Sequence, residues 1–239
     1  MKRILTLFVV MGLFACAAGV ANADLLVNGN LDTGSGEDIT GWTLDETLAF
    51  TGPTTDLVTL EPWIEIPPIT SGGGDADKGG FVKGFKGTLN NPATLHMYQD
   101  VAGTPGMKYI LTGMIGAGLN WSGLIDGPTQ TLLAIDFDND NDASNGVISS
   151  AVTDLKAAGL VSGGGPVFGA KQFMAMDVAP AGTTVVRARL SAVDMYTTVN
   201  PDQSLFIDDF SLTCVPEPAT LSLLGLAVAG LIGIRRRSK

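Results

Sequence analysis

Any chemistry in this chain has to come from carboxylates, tryptophans and a few isolated side chains. Twenty-four acidic residues stand against one histidine, His96, and two cysteines, Cys16 and Cys214. That inventory removes most zinc sites and any disulfide framework. His96 lies in the strand-like run Thr94-Leu95-His96-Met97-Tyr98, and no HExxH, nucleophile elbow or Ser-His-Asp ordering surrounds it. It is expected to be a structural histidine. A glycosidase needs two carboxylates about 5–10 Å apart, one of them protonated. Every acid except Glu217 falls between residues 24 and 216, so some pair must fit and the criterion selects none. Catalysis is therefore not expected. The densest acidic run is Asp136-Phe137-Asp138-Asn139-Asp140-Asn141-Asp142. Counted from Asp138, an EF-hand loop needs glycine sixth and glutamate twelfth, where this chain has Ala143 and Ser149. The run reads as an acidic turn, with Asp136 on the preceding strand and Ile135 and Phe137 on its other face. Trp63, near Pro62 and Pro67-Pro68, and Trp121, after Gly116-Ala117-Gly118, are candidates to stack on a sugar ring.

Both ends differ from the middle. Met1-Lys2-Arg3, an uncharged apolar stretch and Ala21-Asn22-Ala23 make a secretory signal peptide over residues 1–23, cut by signal peptidase before Asp24. At the other end, Pro216-Glu217-Pro218 precedes the uncharged residues 219–234 and then Arg235-Arg236-Arg237-Ser238-Lys239. Sixteen residues as a helix rise about 24 Å, short of the ~30 Å hydrocarbon core. Snorkelling arginines and bilayer thinning make that a workable transmembrane helix. The basic residues beyond it stay cytoplasmic, which puts the body outside. The prolines leave an extended, accessible tripeptide. Residues 215–239 resemble the PEP-CTERM sorting signal of Gram-negative bacteria. The resemblance implies recognition by the membrane enzyme exosortase, cutting near the tripeptide, and export to the cell surface or exopolysaccharide matrix.

With the six basic residues and the one acid of the two ends removed from the total of −10, residues 24–216 carry −15. Nucleic acid is excluded as a partner, since phosphate binding needs a basic face. Divalent cations or neutral sugars suit such a body better than anionic polymers. Cys214, the one cysteine beyond the signal peptide, has no partner within the body and is read as a passive thiol.

Strand-like runs occupy 25–28, 94–101, 108–115, 130–137, 172–178, 183–192 and 204–213, punctuated by Gly and Pro. In 183–192, Thr184, Val186, Ala188 and Leu190 share one face, and Val185, Arg187 and Arg189 the other. Residues 151–160 are the best candidate for a helix. No repeat divides the body, so one domain, an antiparallel β-sandwich over 24–214, is expected.

The order of landmarks carries a second resemblance. Leu26-Val27-Asn28-Gly29-Asn30-Leu31-Asp32 opens the body, Gly41-Trp42 follows, and Phe206-Ile207-Asp208-Asp209-Phe210-Ser211-Leu212 closes it. This frame resembles the jelly-roll, galactose-binding-like carbohydrate-binding modules. It departs from their pattern at Leu31, Asp32 and Phe210. The resemblance implies a core Trp42, first and last strands side by side, and a structural Ca²⁺ at Asp32 with Asp208 or Asp209. Carboxylates and carbonyls satisfy that hard cation. In strict alternation Phe206, Asp208, Phe210 and Leu212 would share the inward face.

The sequence thus predicts an exported, non-catalytic surface or matrix protein that contacts exopolysaccharide. A secreted polysaccharide hydrolase and a purely structural matrix subunit are the alternatives.

Overall fold

Runs rich in Val, Ile, Thr and aromatics, too short to be helices, can satisfy their backbone groups only by pairing with one another. The computed structural model describes residues 23–62, 78–139, 146–163, 170–198 and 202–216. Residues 1–22 of the expected signal peptide, Trp63, Glu217, Pro218, the apolar span and Arg235, Arg236 and Arg237 lie outside them.

The described strands are β1 (Gly34–Ser35), β2 (Asp38–Ile39), β3 (Thr43–Leu48), β4 (Gly52–Pro53), β5 (Val58–Glu61), β6 (Gly79–Lys83), β7 (Ala93–Ala102), β8 (Met107–Ala117), β9 (Gln130–Asp138), β10 (Val147–Asp154), β11 (Lys171–Val178), β12 (Val185–Met195) and β13 (Ser204–Pro216). Six of them form a sheet in the order β10-β9-β12-β7-β3-β4, and five form a second, β11-β8-β13-β6-β5; β1 and β2 make a small hairpin. All strand pairs are antiparallel. This is the antiparallel all-β sandwich that the turn spacing predicts, of the jelly-roll class that the second resemblance implies.

The core lies between the sheets. Leu95 and Met97 of β7, Leu133, Ile135 and Phe137 of β9, and Val186, Ala188 and Leu190 of β12 are fully buried in one cluster with Leu111 and Ile115 of β8 and Leu205 and Ile207 of β13. The alternation read in β12 therefore holds, with Arg187 and Arg189 on the outer face.

Three expectations are corrected. Residues 151–160 are not a helix. Through Asp154 they belong to β10, and the rest is a turn closed by the Ala158 amide on the Asp154 carbonyl (2.9 Å) and by Gly159 at φ +86°. Pairing with β9, up to Asp154 opposite Leu132, satisfies this backbone as a strand instead. The alternation in β13 is broken by a bulge between Asp208 and Ser211, with Asp209 at φ +48°. Leu205 and Ile207 face the core before the bulge and Phe210 and Leu212 after it, whereas Phe206 stacks on Phe81 in a separate cluster with Met114 and Ala170. Finally, β13 continues past residue 214, with Val215 opposite Lys108 and Pro216 opposite Met107, so a boundary after 214 would cut a strand.

The opening segment lies against the last strand, as the second resemblance implies. The Leu25 amide donates to the Leu212 carbonyl at 2.8 Å and the Phe210 amide to the Gly29 carbonyl at 2.7 Å. The Asp24 carboxylate accepts from the Leu212 amide at 3.0 Å. Residues 25–28 nonetheless form no regular strand, because a turn begins at Val27.

Candidate functional site

The outer face of the six-stranded sheet carries the most ordered set of polar side chains. Register puts Asp45, His96, Ser191 and Leu132 in one row across β3, β7, β12 and β9, and Thr43, Tyr98, Arg189 and Ala134 in the next. Side-chain bonds cross these rows. Arg189 grips Asp136 with two nitrogens (Nε to Oδ2 2.7 Å, Nη2 to Oδ1 3.0 Å) and donates its third to Ser191 Oγ at 2.6 Å. Ser150 Oγ donates to Asp136 Oδ1 at 2.6 Å, and Ser191 Oγ lies 2.8 Å from His96 Nδ1. Alongside, Arg187 pairs with both oxygens of Asp100 (2.7 and 2.9 Å), and its guanidinium lies 3.7 Å from the Tyr98 ring centre.

Electrostatics follow from this wiring. Burial opposes ionisation of Asp136, but Arg189 beside it, with help from Ser150, holds the carboxyl below its ordinary value. Burial, reinforced by the charge of Arg189, lowers His96. The Asp100 hydrogen bond raises Arg187. The two ion pairs cancel internally, while Asp45 and Asp154 add carboxylates to the His96–Ser191–Leu132 row, so the face presents fixed donors, acceptors and a tyrosine ring with an acidic balance. Ser191 is fully buried beneath its partners and is not placed to attack a ligand.

A second feature is an open groove of about 460 Å³ on the five-stranded sheet, lined by Asp24, Asn28, Asn30, Thr112, Gln172 and Asp209 among others. Of the expected calcium ligands, Asp209 lines this groove. Asp209 is exposed at the groove, whereas Asp208 is 3% exposed and accepts from the Asp209 amide at 2.7 Å. Asp32 accepts from the Lys78 amide at 2.9 Å and from Asn30 Nδ2. Asp32 and Asp208 approach the same corner, the start of β6, because Ile207 pairs with Gly80. Among the described residues no three His, Cys, Asp or Glu side chains gather to hold a metal, so a cation at this corner would depend on carbonyl oxygens for the rest of its shell.

The chain's C-terminal residues 215–237 match the PEP-CTERM protein-sorting motif. This protein carries a PEP-CTERM tail. The motif implies export and processing by an exosortase-type enzyme. No curated protein matches the sequence. Among solved structures, the enzymatically active domain of tailspike protein 4 of bacteriophage CBA120 aligns at TM-score 0.53 and 15% identity, over 80% of this chain but 21% of the tailspike chain. The Stig cyclase Fisc from Fischerella sp. TAU aligns at 0.50 and 15%, over 82% of this chain and 99% of its own. A CBM4 structure covers 79% of this chain and 99% of its own at 10% identity and a TM-score of 0.43. The first two likenesses speak for the fold alone.

In the body ahead of the PEP-CTERM tail the tryptophans are not surface platforms where they are described. Trp121 is fully buried, with Nε1 donating to Thr131 Oγ1 at 3.0 Å, so it offers no ring face to a sugar and is withdrawn as a stacking residue. Its approach after Gly118 carries the chain inward rather than outward, since the Trp121 amide turns back onto the Gly118 carbonyl. Trp42 is core as expected, bonded to the Asn28 carbonyl and tilted against Phe210 at 5.2 Å. Cys214 is half-buried against the core cluster. Tyr98, Asp100 and Ser150 were not singled out by the sequence. The outer-face alternation of β7 was the signal that could have found the first two.

Proposed function

We propose that this is an exported, non-catalytic surface or matrix protein that crosses the inner membrane, is held there by its tail until processed, and then contacts neutral exopolysaccharide through the outer face of its six-stranded sheet. One observation carries the reading: the bonded row Ser150–Asp136–Arg189–Ser191–His96 lies beside Tyr98 on a sheet face that nothing in the core requires to be polar. Side chains fixed by each other lose little entropy when a sugar hydroxyl replaces water. A neutral polymer meets no electrostatic repulsion from an acidic face, whereas the −15 body disfavours an anionic one.

Affinity electrophoresis of the purified protein through gels containing neutral or acidic polysaccharides tests this. Retardation by a neutral polymer, lost in Tyr98→Ala and His96→Ala at unchanged melting temperature, is expected. Equal mobility in every gel removes the reading, and release of reducing ends would replace it with the hydrolase.

Calcium belongs to the same proposal, with Asp32 and Asp208 or Asp209 as its carboxylate ligands. Titration with Ca²⁺ should then raise the melting temperature, and Asp32→Asn should abolish the rise. A melt indifferent to both Ca²⁺ and EDTA would remove the metal.

A further inference from the structure

The folded sheet reaches into the sorting motif. Cys214 pairs with Tyr109, Val215 with Lys108 and Pro216 with Met107, so the motif's first two residues belong to β13. Only Glu217 and Pro218 separate the sheet from Ala219, where the apolar stretch begins. Three Cα-to-Cα steps span at most about 11 Å when fully extended. The headgroup layer on each side of the hydrocarbon is itself about 5–7 Å deep. Were residues 219–234 a helical anchor, their length of about 24 Å in a ~30 Å core would draw the ends inward and leave no slack. The end of the sheet would then lie within a few ångströms of lipid.

The opening segment points the same way. Leu25 bonds to Leu212 and Gly29 to Phe210, an antiparallel run, so the chain preceding Asp24 is directed toward the Pro216 end of β13. Among the described residues that end carries two turns, 103–106 joining β7 to β8 and 179–184 joining β11 to β12, beside the end of β9 and the start of β10. They read Gly-Thr-Pro-Gly and Ala-Pro-Ala-Gly-Thr-Thr, without a charge. Gly106 at φ +74° and Gly182 at φ +92° keep them tight. Thr104, Pro105, Gly106, Ala181 and Gly182 are exposed. Lys108 follows the first turn, and at the end of β9 Asp138 is buried, with the acidic residues of 140–142 next in sequence.

We propose that these two turns are a lipid-docking surface that rests on zwitterionic headgroups while the tail is uncleaved. The proposal depends on the tail being a membrane anchor. The uncharged turns bring no cations to an anionic surface and the −15 body opposes one, so a neutral bilayer is the partner.

The test uses the full chain, Cys16 and Cys214 replaced by Ser, reconstituted into phosphatidylcholine vesicles. A fluorophore is attached to a single cysteine at Thr104→Cys or Ala181→Cys, or at the opposite end at Leu89→Cys or Leu119→Cys, which are 66% and 58% exposed. The eleven residues of β8 hold the two ends roughly 35 Å apart. Lipids carrying a headgroup quencher should quench positions 104 and 181 several-fold more than 89 and 119. A ten-residue Gly/Ser spacer after Pro216 should erase that difference. Equal quenching at both ends without the spacer would overturn the docking surface and leave the anchor standing. Failure of the chain to float with the vesicles would overturn both.

Discussion

Arg189 and Asp136 form a two-pronged ion pair across the β12–β9 boundary, at 2.7 and 3.0 Å, with side-chain exposures of 20% and 7%. Its neighbour Arg187–Asp100 has similar geometry, but Asp100 is 33% exposed. The difference in burial makes the two pairs unequal. Breaking a buried pair leaves an uncompensated charge, which costs about 3–5 kcal/mol, whereas an exposed pair contributes about 0–1 kcal/mol. Asp136→Asn should therefore lower unfolding free energy by roughly 3 kcal/mol, and Asp100→Asn by less than about 1 kcal/mol. Urea denaturation of the two variants measures the contrast, and equal losses would contradict this ranking.

His96 makes stability fall on mild acidification. Burial, followed by the Arg189 charge, depresses its folded-state value, so the unfolded chain takes up a proton first as pH drops through 6.5. Stability is lost from that point down to the folded value, because protons then favour the unfolded state. Urea midpoints measured from pH 7.5 to 5.5 should drop more for the native protein than for His96→Gln.

Glu46 acts with the opposite sign. Its side chain faces inward from β3, 7% exposed, and Oε1 accepts the Leu57 and Val58 amides at 3.1 Å each. Burial outweighs both bonds and raises its pKa, so the folded state keeps the proton longer as pH rises above 4.5. Stability from this group falls through that window and levels off once the folded form ionises. Glu46→Gln keeps an oxygen for the two amides and should remove the slope, as calorimetric melts between pH 4 and 7 would show.

Legibility in the sequence followed the length and regularity of each element. β7, β8, β9, β11 and β12 were readable because their inward positions are mostly apolar, Gln99 and Thr131 excepted, as Val186, Ala188 and Leu190 illustrate. β3 was not, since the inward place between Leu44 and Leu48 is taken by Glu46, a charge that erases period-two alternation. The last strand was read in position but not in phase. One extra residue at Asp209 reverses the facing of everything after it, and no propensity announces that. Arg187, Arg189 and Asp136 could each be placed on an outer face. Their meeting depends on register between strands some fifty residues apart, which only the assembled sheet fixes.

Trp121 now has a structural role to test. Truncating a fully buried aromatic costs about 3–5 kcal/mol, from lost transfer energy and the cavity left behind. Trp121→Ala also strands the Thr131 hydroxyl that its indole nitrogen reaches. The variant should melt far below the native protein. At temperatures where it stays folded, its retention in polysaccharide gels should be native-like; a selective loss of retention would restore the ring to the binding face.

Gly29 fixes how closely the opening segment can approach the last strand. A Cβ at this position would lie 2.1 Å from the Phe210 carbonyl oxygen, a backbone atom that cannot swing aside. That same Phe210 residue donates its amide to the Gly29 carbonyl, and Asp24 reaches Leu212 two residues further along β13. Gly29→Ala should therefore prise residues 24–31 away from β13, at about 1–3 kcal/mol as for other overpacked sites. Hydrogen exchange at the Leu212 amide should accelerate together with the loss of stability. Gly36→Ala is the control: its φ of +58° is strained for alanine, but a Cβ there meets nothing within 4 Å. It should cost about 1 kcal/mol and leave Leu212 exchange unchanged. If Gly29→Ala behaved in the same way, the opening segment would not be clamped to the strand that leads into the sorting tail.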